Sequence, residues 1–318
     1  MRLAGARWAR AKVPRVSTVL NLHPPGPSGV PPLLARLVDD AALSPPSGLS
    51  VLDAVKAHLA ARRAPHAGVI GFLLCPISRL GAVVSALRKA RPAQPVALSL
   101  VADTGLGGLP KAISTVLDNT KLLNLRMIEV PAPSDVDATW LVQLTEFVPD
   151  DVVRVVEPRR GRPEWLQGVR RVAEAGCWPK LRCGGKSVES FPSVEEVADF
   201  LAIATCTGRP FKATAGLHHA VRHHDKSTGL THHGLLNMLV GTAHAVSGAS
   251  AHEALRCTDA AALAAEAGAL SSDSARGVRE VFACYGSVSL TAPVADLTRL
   301  GLLPHPEHRP APRGQCAP

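Results

Sequence analysis

Aromatic residues are scarce in this chain: one tyrosine, four tryptophans and six phenylalanines make up 3% of 318 residues. Alanine, valine and leucine must therefore fill the core, and a row of base-stacking rings is excluded. No apolar run approaches the roughly 18–20 residues that a membrane-spanning helix needs, so no membrane association is expected. CxxC pairs are missing too. The seven cysteines, Cys75, Cys177, Cys183, Cys206, Cys257, Cys284 and Cys316, are odd in number and scattered. That pattern fits reduced thiols in a cytoplasmic protein, neither a disulfide framework nor a zinc finger.

Acidic residues are missing from residues 1–28, which hold Arg2, Arg7, Arg10, Lys12 and Arg15. The other end, residues 299–318, adds Arg299, Arg309 and Arg313 against Glu307. These ends hold eight of the 35 basic residues and one of the 26 acidic ones, so the net charge of +9 is mostly theirs. The body between them is nearly neutral and lacks the basic stripe of a nucleic-acid binder. Residues 1–30 read as a disordered basic tail, with an organelle transit peptide as the competing reading. Residues 304–318 read as a second tail, and residues 31–303 as one domain. The preference for arginine over lysine, with abundant Ala, Gly and Pro, points to a GC-rich bacterial genome.

What is present is alternation. Strand-like runs at 69–75, 95–101, 125–130, 152–157, 178–182 and 210–215 alternate with helical segments at 80–89, 110–117, 137–147, 163–175 and 193–205. Gly176 and Gly208 close two of those helices, and Ser193 with Glu196 forms a capping box. Ahead of them, LLARLVDDAAL at 33–43 reads as a short helix, with Asp39 and Asp40 before the first strand, and 52–63 as the next helix. After them, 234–247, 260–267, 278–284 and 297–302 read as helices. YGSVSL at 285–290 looks strand-like, and residues 250–300 are expected to supply the closing strand or strands.

Strict β–α alternation gives a parallel sheet with right-handed crossovers. No glycine-rich dinucleotide fingerprint follows the first strand, and the strands carry charges in their interiors. Helices on both faces of an open sheet would bury those charges dry, whereas a barrel mouth lets them share one wet pocket. The expected fold is a TIM-type (β/α) barrel, irregular in its last two units.

Side chains alternate along a strand, so Lys180 shares a face with Arg182, and Lys212 with Thr214. Glu129 falls on the face of Met127, and Glu157 on that of Val155. Inward-pointing faces would bring two acids and three bases together, as a proton-transfer site requires. Glu129, Glu157, Lys180 and Lys212 are thus the candidate catalytic residues. Arg182, Gly184, Gly185, Thr214, His218, His219 and Asp103 are the candidate substrate ligands, the glycines as an anion cradle. A lysine near another cation has a lowered pKa and can attack a carbonyl, which singles out Lys212. His218, His219, His223, His224, His232 and His233 match no zinc motif. HHDKSTGLTHH reads mainly as an exposed loop, and neither metal nor cofactor is expected.

Three segments resemble the class I deoxyribose-phosphate aldolase family: LARLVDDAALSPP its N-terminal segment, GFLLCP its first strand, and FKATAG its Schiff-base segment. The resemblance implies a TIM barrel, a carbon–carbon lyase acting on an aldehyde or keto-sugar, and a reactive lysine at Lys212. That family's second lysine comes one strand after the reactive one, whereas Lys180 comes one strand before Lys212. LRCGG, FKATAGLHH and YGSVSL also resemble segments of a group of actinobacterial proteins. The leading expectation is a barrel enzyme acting on a small, in some cases phosphorylated, carbonyl compound. The alternatives are a metal-assisted hydrolase or isomerase using His218 and His219, a phosphoribosyltransferase-like phosphate-binding barrel, and a non-catalytic protein. A small-molecule partner is expected, and assembly into a homo-oligomer is compatible with the fold.

Overall fold

The computed structural model describes residues 29–45 and 47–305. Apart from their innermost residues, the two basic tails expected from the sequence lie outside these. In chain order the first strand is β1 (Val38–Asp40), followed by α1 (Val51–Ala61), β2 (Ile70–Pro76), α2 (Leu80–Ala90), β3 (Val96–Val101) and α3 (Leu109–Leu117). Then come β4 (Leu123–Pro131), α4 (Ala138–Phe147), β5 (Val153–Glu157), α5 (Trp165–Glu174), β6 (Trp178–Arg182), α6 (Val194–Thr207) and β7 (Phe211–Thr214). A small antiparallel hairpin, β8 (His223–Asp225) and β9 (Leu230–His232), precedes α7 (Leu235–Val246), α8 (His252–Arg256), α9 (Ala260–Ala269) and α10 (Ser272–Val281). The chain closes with β10 (Phe282–Ser287) and α11 (Thr291–Arg299).

Eight of the strands form a closed parallel barrel in the order β1-β10-β7-β6-β5-β4-β3-β2. The fold is therefore the expected TIM-type barrel, with its irregular part after β7. The expected capping box is present: Ser193 Oγ accepts from the Glu196 N–H at 3.1 Å, and Glu196 Oε2 accepts from the Ser193 N–H at 2.7 Å. Gly208 ends α6 in the left-handed region at φ 61°.

Three expectations need correction. Residues 33–43 are not a helix: a single 3-10 turn, Pro32–Leu34, leads into β1. Arg36 at φ 53° breaks the helical path, and β1 gains backbone partners from β2 and β10 on its two sides. A three-residue strand buried throughout shows no alternation to read. At the other end, the strand expected at 285 begins at Phe282, and the preceding helix stops at Val281. Lastly, HHDKSTGLTHH is a hairpin: its turn at 226–229 is exposed as expected, but the segment is paired and His233 is fully buried.

The outward faces of the strands pack on the helices. Phe211, Ala213 and Leu181 meet Phe200, Leu201 and Leu239 there. Inside the barrel, Phe72, Met127, Val155, Trp178, Ala283 and Cys284 form a closed apolar layer. The charged residues lie past that layer toward the strands' C-terminal ends, where barrel enzymes place their sites. Arg279 seals the ring near its seam. Its fully buried guanidinium donates to the carbonyls of Phe282 (2.9 Å), Leu33 (3.1 Å), Ala35 (2.6 Å) and Ala283.

Candidate active site

Glu129, Glu157, Lys180, Arg182 and Lys212 do converge, and Asp39 joins them from β1. Lys212 Nζ donates to Glu129 Oε1 at 2.7 Å and to Asp39 Oδ2. Lys180 Nζ lies 3.0 Å from Glu129 Oε2 and 3.1 Å from Glu157 Oε2. Arg182 Nε donates to Glu157 Oε1 at 2.5 Å. The result is one continuous ladder, Asp39–Lys212–Glu129–Lys180–Glu157–Arg182, with three acids balanced by three bases. It climbs from an enclosed end, where Lys212 is 0% exposed, to an open end, where the Arg182 side chain is 46% exposed.

Neighbouring elements hold the ladder in place. Ser99 on β3 donates to Glu129 Oε1 at 2.6 Å. Asp39 Oδ1 accepts from the Phe72 N–H at 2.8 Å. Gly71 makes room for that contact, since a Cβ there would lie 2.1 Å from Asp39 Oδ1. Met127, one turn of the pleat below Glu129, places its sulfur 3.8 Å from Lys212 Nζ.

Burial penalises every charge in the ladder, and the partners decide the outcome. For Glu129 burial is outweighed by Lys212 and Lys180, and its pKa falls to about 2. Glu157 is lowered in the same way by Lys180 and Arg182. Burial also works against charge on Lys180 and Lys212, but two carboxylates beside each outweigh it, so both stay above the ordinary lysine range. The expectation of a lowered Lys212 pKa is thus corrected: its near neighbours are acids, and the other cations lie beyond them. Asp39 moves upward, because burial there exceeds the pull of Lys212.

A cavity of about 810 Å³ opens above the ladder, lined by Lys180, Arg182, Gly185, Thr214, His218 and His232 among others. Lys212 and Asp39 lie beneath its surface. The loops after β6 and β7 touch backbone to backbone. A Cβ on Gly184 would lie 2.7 Å from the Gly216 Cα, and Gly216 at φ 70° would place one 2.1 Å from the Cys183 carbonyl oxygen. Gly184 thus serves this close approach, while Gly185 faces the cavity.

Two expected ligands are elsewhere. Asp103 accepts from the Ser78 N–H at 3.1 Å and from the Ser78 hydroxyl, so it ties two loops together and does not line the cavity. His219 is exposed, with Nδ1 3.5 Å from Asp296 Oδ2. Sequence reasoning gave too little weight to Asp39, whose signal was the doublet of acids inside an otherwise apolar run. It named His232 within the histidine cluster but left it in an exposed loop, and it missed Ser99, which carries no such signal. Among the described residues, no three of His, Cys, Asp and Glu are placed to hold a metal ion. The histidines pack ring on ring instead, as His223 and His232 do at 5.0 Å and 15°. Comparison with family models and with curated proteins finds no match to this chain.

Proposed function

We propose that this barrel is an enzyme that condenses a lysine amine with a small carbonyl compound and makes or breaks a carbon–carbon bond next to the resulting imine. The observation that carries this reading is the charge ladder, which places an amine between two carboxylates at the floor of a cavity. A barrel that served only as a scaffold has no need of it, since six buried or half-buried charges stabilise a fold less than apolar residues of similar volume would.

The resemblance to the deoxyribose-phosphate aldolase family puts the imine on Lys212. The geometry favours Lys180. Lys180 lines the cavity, whereas Lys212 is enclosed and clamped by Asp39 and Glu129. Taking Lys180 as the reactive amine also places a second lysine, Lys212, one strand later, which is the order in that family. Lys212 then acts as a fixed charge that holds Glu129 ionised and in position.

The chemistry follows from the contacts. At rest the pair keeps the proton on Lys180; as the carbonyl group displaces the ammonium from its carboxylates, Lys180 gives that proton across 3.1 Å to Glu157. The free amine attacks the carbonyl carbon, and the carbonyl oxygen becomes the carbinolamine hydroxyl. Glu157 returns the proton to that hydroxyl, which departs as water and leaves the iminium. Arg182 keeps Glu157 oriented throughout. Arg182 and Lys186, with the backbone at Gly185 and Gly216, suit a phosphate or carboxylate on the substrate.

Borohydride reduction in the presence of a panel of phosphorylated and unphosphorylated aldehydes and ketones tests the proposal. A covalent mass increment that appears only with carbonyl compound supports it. No increment across the panel contradicts it, and thermal protection by phosphate alone would then favour a phosphate-binding barrel without imine chemistry.

A further inference from the structure

The cavity above the ladder has two unlike halves, and the order of strands around the barrel separates them. Its lysines and arginine, Lys180, Arg182 and Lys186, all come from β6 and the loop that follows it. The opposite arc, β10-β1-β2-β3, brings Ala41, Leu74, Val101, Gly286 and Val288 to the same cavity. Among the described residues of that arc, Ser44, in the loop after β1, is the one polar side chain on the cavity. We propose that the substrate is an anionic carbonyl compound that carries a hydrocarbon or aryl group, its anion on the β6 side and its apolar group against Leu74, Val101 and Val288. This assignment rests on the amine reading above and gives that site its substrate class.

The strands aim this wall inward. On β2, Leu73 and Cys75 pack with the helices, while Phe72 belongs to the interior layer, so Leu74, two residues on, stands above Phe72 on the inner face. On β3, Ser99 reaches Glu129 from the inner face, and Val101 follows two residues later. Gly286 on β10 keeps the space beside Leu74 open. A Cβ there would lie 3.1 Å from Leu74 Cδ2 and 3.6 Å from Thr214 Oγ1.

Such a wall selects against a polyhydroxylated chain. A hydroxyl laid on it gives up water and finds no partner, because the backbones of β10, β1, β2 and β3 bond to one another. Each such loss costs about tenfold in affinity. A hydrocarbon gains about fourfold for each methylene it buries there. The size agrees: about 810 Å³ suits a drug-sized ligand, far more than a short aldehyde fills. The cationic side fixes which end of the molecule goes where.

The test titrates methyl, propyl and hexyl phosphate, the matching alkanoates, and glycerol phosphate into the protein by calorimetry. None of these carries an aldehyde or ketone, so binding is read apart from imine formation. Borohydride trapping then compares pyruvate with α-ketooctanoate. Affinity should rise about fourfold per methylene in at least one series, and α-ketooctanoate should trap at concentrations about 100-fold lower than pyruvate. Propyl phosphate should bind about tenfold tighter than glycerol phosphate, which has the same carbons and two more hydroxyls. G286V, which fills the gap beside Leu74, should bring the hexyl probe down to the methyl level. V288S, at a half-buried position past the end of β10, should weaken the hexyl probe about fivefold and leave the methyl probe unchanged. Thermal melting checks that both variants fold.

Affinity that does not grow with chain length overturns the proposal, as does glycerol phosphate binding tighter than propyl phosphate, or a hexyl probe that neither variant weakens. In each of these cases an adduct with pyruvate leaves the imine reading standing. Chain-length-dependent binding that both variants weaken, without any adduct, supports the two-sided ligand and overturns the imine reading instead. Neither binding nor adduct overturns both.

Discussion

At the scale of single residues, Glu129 is the hinge of the site. Its two oxygens face two different lysines, with Ser99 as a further donor. Gln in its place keeps the shape and removes the charge that both ammonium groups share, so E129Q should lose about 3 kcal/mol of stability in chemical denaturation. The pH dependence has a definite sign. A carboxylate whose pKa is depressed in the fold contributes fully above its unfolded value and loses that contribution as pH falls through the folded one. For Glu129 that window runs from 4.5 down to about 2. Asp39, shifted upward, works in the opposite sense and eases part of the loss. E129Q should therefore flatten the stability profile across that window relative to wild type. An unchanged profile would mean that Glu129 is not the ion-paired acid described here.

At the scale of elements, the regular middle of the barrel was legible and its seam was not. From 69 to 215 each strand is five or more residues of apolar or alternating character, or is bracketed by a capped helix, so period and punctuation agree. The inward faces of β4 to β7 followed from that alternation, and with them Glu129, Glu157, Lys180 and Lys212. The β1 segment offered only VDD, flanked by helix-favouring Ala and Leu, and its identity depends on pairing with strands more than 30 residues and more than 240 residues away in sequence. Local propensity cannot report such partners. The hairpin β8–β9 pairs locally, His223 with His232, but its short polar strands, HHD and LTH, offer no apolar alternation to read. One glycine shows how tightly the seam is specified. A Cβ at Gly71 would lie 2.1 Å from Asp39 Oδ1. G71A should thus displace the carboxylate from Lys212 and cost about 2 kcal/mol or more, read from the thermal midpoint. A melting curve unchanged from wild type would count against the Asp39 contact.

At the scale of the whole molecule, two devices close the ring. The charge ladder crosses the interior from β1 to β4, β5, β6 and β7, and Arg279 stitches the entry to β1 to the start of β10. R279M fills similar volume but leaves the carbonyls of Leu33, Ala35, Phe282 and Ala283 without their buried donor. A loss of about 3 kcal/mol or more is expected, with hydrogen exchange rising first in β1 and β10. Uniform exchange across all strands would show that the seam is not where the barrel opens. Among the described residues, no helix is long and apolar enough to cross a membrane, and the six cysteines among them are free thiols.

On the proposed reading, the amine at the cavity floor, Lys180, meets substrate, while Lys212 serves beneath it as a buried charge. Peptide mapping of the borohydride-trapped adduct tests this most directly, in wild type and in K180R and K212R. The added mass is expected on the peptide that carries Lys180, with its loss in K180R and its persistence in K212R at reduced yield. An adduct on Lys212, or one that survives K180R, would contradict it.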